Sequence, residues 1–257
     1  MVPWNTPQQV AQQLGADNYE EYIARFCEHV HSDYICFDFY PYAANTKLFW
    51  ENLGIAAEAC RKEKRSLWIV LQVNSHEPEV WTSVNRLRFQ AYSALAYGAE
   101  CIFWACYTAG WWHNQVLDEN GEKTPQYEKL RCVNAELKGI SENYMRYRCV
   151  KTHVVEDEPL NAAGFVGVHA SDGAQLLVGE MLPRNGQGTP ALMICVANDP
   201  LDEHPGTIEL SFSSKYSWVH EIKGSGPAFL SRDEDGVCRL EMQSCGGVLL
   251  IAEEDED

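Results

Sequence analysis

Basic charge is scarce in this chain of 257 residues: Lys and Arg number 20 against 37 Asp and Glu, a formal net charge of −17. Nucleic acids and anionic membranes both need a basic footprint, to release counterions or to meet the surface potential, so this balance argues against either as a partner. Long apolar runs are missing as well. None approaches the roughly 20 residues of a spanning helix, and Met1–Gly15 lacks the basic n-region and apolar h-region of a secretion signal. Neither GxGxxG nor a GxxxxGKS/T loop occurs, which removes the glycine-rich phosphate cradles. There are 10 cysteines but no CxxC pair and no Cys/His set at zinc-like spacing. Scattered through apolar stretches, they read as reduced core thiols of a cytoplasmic protein rather than a disulfide framework. No metal or other cofactor is expected.

What the chain does have is a globular composition, 46% hydrophobic and 22% charged, enough to bury a sizeable core. Apolar runs begin at Tyr34, Leu67 and Cys101, 33 and 34 residues apart, with helix-like segments between them. A strand with its returning helix in an eight-fold β/α barrel takes about 31 residues, so the spacing is that of β/α units. Asp17 with Glu20 suggests a capping box before Tyr19, Tyr22, Ile23, Phe26 and Val30 at helical spacing. Leu48, Leu53, Ala56, Ala57 and Cys60 mark a second helix. Thr82 or Ser83 can cap a third ending at Gly98, and Thr124-Pro125 opens a fourth. Continuous apolar strands alternating with amphipathic helices indicate a parallel sheet.

After about Asn143 the period becomes that of strands, with runs at 149–155, 165–169, 175–181, 191–197, 207–212, 218–222, 237–242 and 248–252. Turn residues such as Asn185-Gly186 and Asp235-Gly236 separate them. The expected fold class is therefore α/β plus all-β: a partial β/α barrel over 1–145 and an antiparallel β-sandwich over 146–257. The run Glu253–Asp257 reads as a solvated tail.

Ligand groups of β/α barrels project from the C-terminal ends of the strands. Those ends offer Asp38, Tyr40 and Tyr42, then Gln72, Asn74, His76 and Glu77, then Trp104, Tyr107, Trp111, Trp112 and His113. Polar groups that bond hydroxyls beside aromatic faces that stack on sugar rings suit a carbohydrate better than a phosphate or nucleotide. Each has a plainer alternative. Asp38 in an apolar run needs either a structural ion pair or a site role; Gln72 is a site amide or a satisfied core amide. His76 and His113 are site groups or exposed loop histidines, Glu77 a catalytic or a solvated carboxylate, and Trp111-Trp112 a sugar platform or a packed lid.

The series Asp38-Phe39-Tyr40-Pro41, Trp68-Ile69-Val70-Leu71-Gln72, Arg88 through Ala99 (RFQAYSALAYGA) and Leu117-Asp118-Glu119-Asn120-Gly121 resembles the last part of a clan-A glycoside hydrolase barrel. The likeness is to family 42 β-galactosidases and related bacterial glycosidase-like proteins, over roughly residues 15–145. Leu176–Glu180 and Gly246–Leu250 are similar to the β-sandwich that follows such barrels. The resemblance implies strands six, seven and eight of a barrel and a retaining mechanism with two carboxylates. Gln72 then stands where the nucleophilic glutamate is expected, and the strand carrying the acid/base is absent. Asp38, Gln72 and Glu77 are the catalytic candidates; Tyr40, Asn74, His76, Trp104, Tyr107, Trp111, Trp112 and His113 are the substrate-binding ones.

The expected partner is an oligosaccharide or glycoside, and the expected activity is on O-glycosidic bonds. A missing N-terminal half or a second chain would complete the barrel. The residues leave open a binding protein without hydrolysis, and a structural subunit whose apolar edge meets another chain.

Overall fold

The computed structural model describes residues 15–42, 46–108, 110, 112–197 and 207–254. It divides into two compact units, one running to Thr82 and including Tyr97–Glu128, the other comprising Ser83–Ala96 and the chain from Lys129.

The first unit opens with helix α1 (Tyr19–His29), capped by Asn18, whose side chain accepts from the Glu21 N–H. Glu21 in turn accepts from the Asp17 N–H at 2.7 Å. The cap thus sits one residue later than Asp17 and Glu20 suggest, because the Asn18 carboxamide takes the cap position, which Asn fills as well as Asp, and the return bond from Glu21 reaches the residue before the cap rather than the cap itself. Strand β1 (Tyr34–Phe39), helix α2 (Thr46–Glu63), strand β2 (Ser66–Gln72) and strand β3 (Ala99–Ala105) are the unit's other regular elements among the described residues. The three strands pair in parallel in the order β1-β2-β3.

Ile35, Phe37 and Phe39 of β1 and Leu67, Ile69 and Leu71 of β2 are at most 2% exposed and form one buried face. Helix α2 packs on both strands. The opposite face carries Tyr34, Cys36, Asp38, Trp68, Val70 and Phe103 in register, and none of these is fully buried. On it Tyr34 stacks on Trp68 with ring centroids 3.9 Å apart, and Phe103 tilts against Trp68 at 6.0 Å. The apolar runs suggest strands covered on both sides; among the described residues one side is covered and no closed barrel forms.

Among the described residues the second unit contains helix α3 (Val84–Ala96), most of helix α4 (Pro125–Tyr144) and ten strands. They are β4 (Tyr147–Val155), β5 (Leu160–Ala162), β6 (Phe165–Ala170), β7 (Leu176–Pro183) and β8 (Ala191–Val196). After them come β9 (Thr207–Ser214), β10 (Trp218–Lys223), β11 (Gly226–Phe229), β12 (Cys238–Gln243) and β13 (Gly247–Glu253). They form two antiparallel sheets, β11-β10-β13-β8-β7-β4 and β12-β9-β6-β5. Both sheets feed one hydrophobic cluster that includes Phe165, Val178, Ile194, Leu210, Phe212 and Leu250. Period-2 alternation leaves Leu177, Met193 and Cys195 on the outer face of the larger sheet, all fully buried. Helix α3 packs there, against β7 and β8.

Ser83 caps α3, its hydroxyl accepting from the Arg86 N–H at 3.2 Å. At the other end of α3 the Tyr144 hydroxyl donates to the Leu95 carbonyl at 2.9 Å and the Thr152 hydroxyl to the Ala96 carbonyl at 3.1 Å. Arg88 of α3 and Glu136 of α4 form a fork-to-fork ion pair, with 2.5 Å between Nη2 and Oε1, and the Tyr92 hydroxyl donates to the same carboxylate. Glu253, read as the start of a solvated tail, belongs to β13, pairs with Trp218 and lies 2.9 Å from His220. All ten cysteines are free thiols, and among the described residues no helix is long and apolar enough to cross a membrane.

Candidate functional site

The parallel sheet of the first unit brings the three strand ends side by side, and the chain beyond each is tied to its neighbours. Val73 N–H donates to the Ala105 carbonyl, and Ser75 and His113 exchange two backbone hydrogen bonds of 2.9 and 2.8 Å. The Asn114 carboxamide reaches back to the carbonyls of Pro78 and Val80, at 3.0 and 2.8 Å. Gln115 donates to the Trp112 carbonyl at 2.8 Å. The loop after β3 is therefore stitched along the loop after β2.

This stitching holds a strained backbone. Trp112 and Asn114 adopt φ of 65° and 60°, the left-handed region that Asn tolerates and a bulky residue avoids at a cost of about 1–2 kcal/mol. The surrounding hydrogen bonds offset that cost, and in this conformation the Trp112 indole contacts two rings from the other strand ends. The Tyr40 ring meets it edge-on with centroids 5.3 Å apart, and the His76 ring at 5.6 Å. One aromatic group from each of the three strand ends thus converges on one place.

Asp38, a half-buried carboxylate of β1, lies close enough to the Tyr40 phenol to act on it electrostatically. Burial, the Asp38 charge and the nearby Cys106 thiol push the phenol up to about 12. The phenol therefore stays protonated at neutral pH and remains a donor. Burial, Tyr22 and Asp38 also raise the Tyr19 phenol, whose buried hydroxyl makes no hydrogen bond among the described residues.

Gln72 is 1% exposed. Its Oε1 accepts from the Tyr42 N–H at 3.3 Å and its Nε2 donates to the Asn74 carbonyl at 3.1 Å, a carbonyl that also accepts from the Thr82 hydroxyl at 3.0 Å. The amide thus bonds backbone at both ends, linking the β1 end to the β2 end. A carboxylate there would keep the acceptor role toward Tyr42 and lose the donor to Asn74, which is a local reason for an amide.

The remaining candidates are dispersed. Asn74 is buried; His113 and Glu77 are exposed, His113 joined to the β2 loop through its backbone and Glu77 through its N–H to the Ser75 hydroxyl. Trp104 is opposite Leu71 in register and so lies on the face of the sheet away from Asp38. Tyr107 is 44% exposed, and Trp111 lies outside the described residues. Asn114 is the residue that the sequence reading passed over; an Asn between His113 and Gln115 in a loop, a residue type at home at positive φ, was the available signal. Among the described residues no group of three or more His, Cys, Asp or Glu is arranged to hold a metal ion.

No family model matches the chain, and no curated protein matches it. Among solved structures it is similar to a 4-O-α-L-rhamnosyl-β-D-glucuronidase from Fusarium oxysporum 12S, with a TM-score of 0.37 and 10% identity, covering 91% of this chain and 56% of that one. A GH27 β-L-arabinopyranosidase from Geobacillus stearothermophilus, in complex with arabinose, gives a TM-score of 0.31 at 8% identity over 93% of this chain and 62% of that one. Both neighbours are glycoside hydrolases, and the chain spans about three-fifths of their length. Likeness this slight fixes neither a family nor an activity.

Proposed function

We propose that the C-terminal edge of β1–β3 binds a carbohydrate, as part of a glycoside-hydrolase-like protein. In this reading residues 1–145 are a partial β/α barrel, residues 146–257 a β-sandwich, and the setting is cytoplasmic, in keeping with ten free thiols. The observation that carries it is the convergence of Tyr40, His76 and Trp112, with the Asp38 carboxylate near the Tyr40 phenol. Aromatic faces take the apolar side of a pyranose, while a carboxylate and exposed imidazole accept and donate to its hydroxyls.

The state of Gln72 favours binding over covalent catalysis at this strand end. A neutral amide cannot form a glycosyl ester, and this one is already bonded to backbone at both ends. Hydrolysis would draw on Asp38 or Glu77 together with groups beyond those gathered here.

The test is titration of the whole chain with a panel of neutral oligosaccharides, by calorimetry and by tryptophan fluorescence, with reducing-end release followed in parallel. Binding is expected for at least one member, weakened about tenfold, or about 1.4 kcal/mol, by Trp112→Ala and less by Tyr40→Phe. Binding untouched by both substitutions would remove the assignment. Release of reducing ends would add hydrolysis to it.

A further inference from the structure

A groove of about 740 Å³ runs between α1 and α2 on the first unit, away from the strand ends. Its floor is apolar: Ile23 and Cys27 from α1 are buried, and Ile55 and Ala59 from α2 are half-buried. Burial raises the Cys27 thiol, which keeps the floor uncharged. Ala24 leaves the α1 side low, so that another backbone can approach there, while on the α2 side the Tyr97 ring lies against Gly54.

The walls carry acid. Glu20 and Glu28 stand along α1 and Glu51 and Glu58 along α2, all exposed. Within each pair the separation is two turns of helix, about 10–12 Å of rise. Glu63 adds a fifth carboxylate near the end of α2, against one lining cation, Lys62, while Glu58 is ion-paired with Arg61 at 2.8 Å. An uncharged channel flanked on both sides by carboxylates at two-turn intervals complements one kind of surface: a helix with an apolar seam edged by Lys or Arg at the same interval.

We propose that the α1–α2 groove docks a basic amphipathic helix of a partner protein. Its apolar seam lies on Ala24, Cys27, Ile55 and Ala59, and its flanking cations meet Glu20 and Glu28 on one side and Glu51 and Glu58 on the other. The contact is independent of the sugar-binding reading, since it uses no residue of the strand ends.

The experiment titrates the full chain with a synthetic leucine–lysine amphipathic helix whose lysines flank the leucine seam at seven-residue spacing, using fluorescence anisotropy. Saturable one-to-one binding is expected, weakened at least about tenfold by Glu51→Lys/Glu58→Lys. Changes on the exposed surface of the second unit, Glu234→Lys/Asp235→Lys, should alter it less than about twofold, with circular dichroism confirming that both variants fold. Three results would overturn the proposal. One is an equal loss in both variants, or equal binding by a scrambled peptide of the same composition, which would mean attraction to bulk negative charge. Another is the lack of saturation. The last is a dimer in sedimentation that the groove variant dissolves, which would make a second copy of this chain the occupant.

Discussion

Tyr40 shows how one side chain couples the candidate site to the solvent. Its phenol is raised to about 12 by burial first and by the Asp38 carboxylate next. An unfolded tyrosine loses its proton near pH 10, so between about pH 10 and 12 the unfolded chain has released this proton while the folded one keeps it. The resulting stabilisation is complete below pH 10 and is lost as pH rises through the folded value. Urea midpoints measured across this window should fall more steeply for the parent chain than for Tyr40→Phe, with the other tyrosines cancelling in the comparison. Identical slopes would show that Asp38 and the buried surroundings do not act on this phenol. Asp38 and Tyr40 could be picked out in the sequence because a carboxylate in an apolar strand demands a partner and alternation puts residues 38 and 40 on one face. The tie from Gln72 to Tyr42 and Asn74 could not, since it depends on which backbone groups two different loops leave unpaired.

Elements were more legible than residues, and the reasons differ from one to the next. Strands β1, β2 and β3 lie where the 33- and 34-residue spacing puts them, because parallel strands separated by a helix need that much chain. Helix α4 starts at Pro125 after Thr124 as its cap signal implies, the Thr124 hydroxyl accepting from the Gln126 N–H at 3.1 Å. Strands β5 and β11 escaped notice: at three and four residues they are too short to show a period. What a helix packs on was not visible either. Gly139 in α4 illustrates this, since a Cβ there would come within 2.5 Å of the Gly224 carbonyl oxygen and 2.8 Å of its Cα. In a solvated helix Gly→Ala stabilises by about 1 kcal/mol. Here the methyl group meets backbone of the β10–β11 turn, and overpacking costs about 1–3 kcal/mol. Gly139→Ala is therefore expected to lower the urea midpoint. A raised midpoint would mean that α4 is free to move off the turn.

At the scale of the whole molecule, the change of period near Asn143 and the packing of the chain ask for different boundaries. The period places a boundary at 145, with α3 and α4 on the barrel side. By packing, α3 and the chain from Lys129 belong with the two antiparallel sheets. The cause is hydrophobic. The larger sheet is apolar on both faces, with Leu176, Val178, Leu192 and Ile194 turned to the shared cluster and Leu177, Met181, Met193 and Cys195 turned outward, all at most 1% exposed. A sheet with two apolar faces needs a layer on each; the smaller sheet supplies one, and α3 lies against β7 and β8 on the other. Glycine at position 179 lets that helix come close, for a Cβ there would run into the Ala96 carbonyl. Residues 146–257 expressed alone would therefore leave the outward row bare, a contiguous apolar patch of the kind that drives association. The expected product is aggregated or molten, binding a hydrophobic dye and melting without a cooperative transition, while the full chain stays monodisperse. A monodisperse 146–257 segment that unfolds cooperatively would show that the sheets are complete without α3, and that the boundary read from the strand period is also the boundary of independent folding.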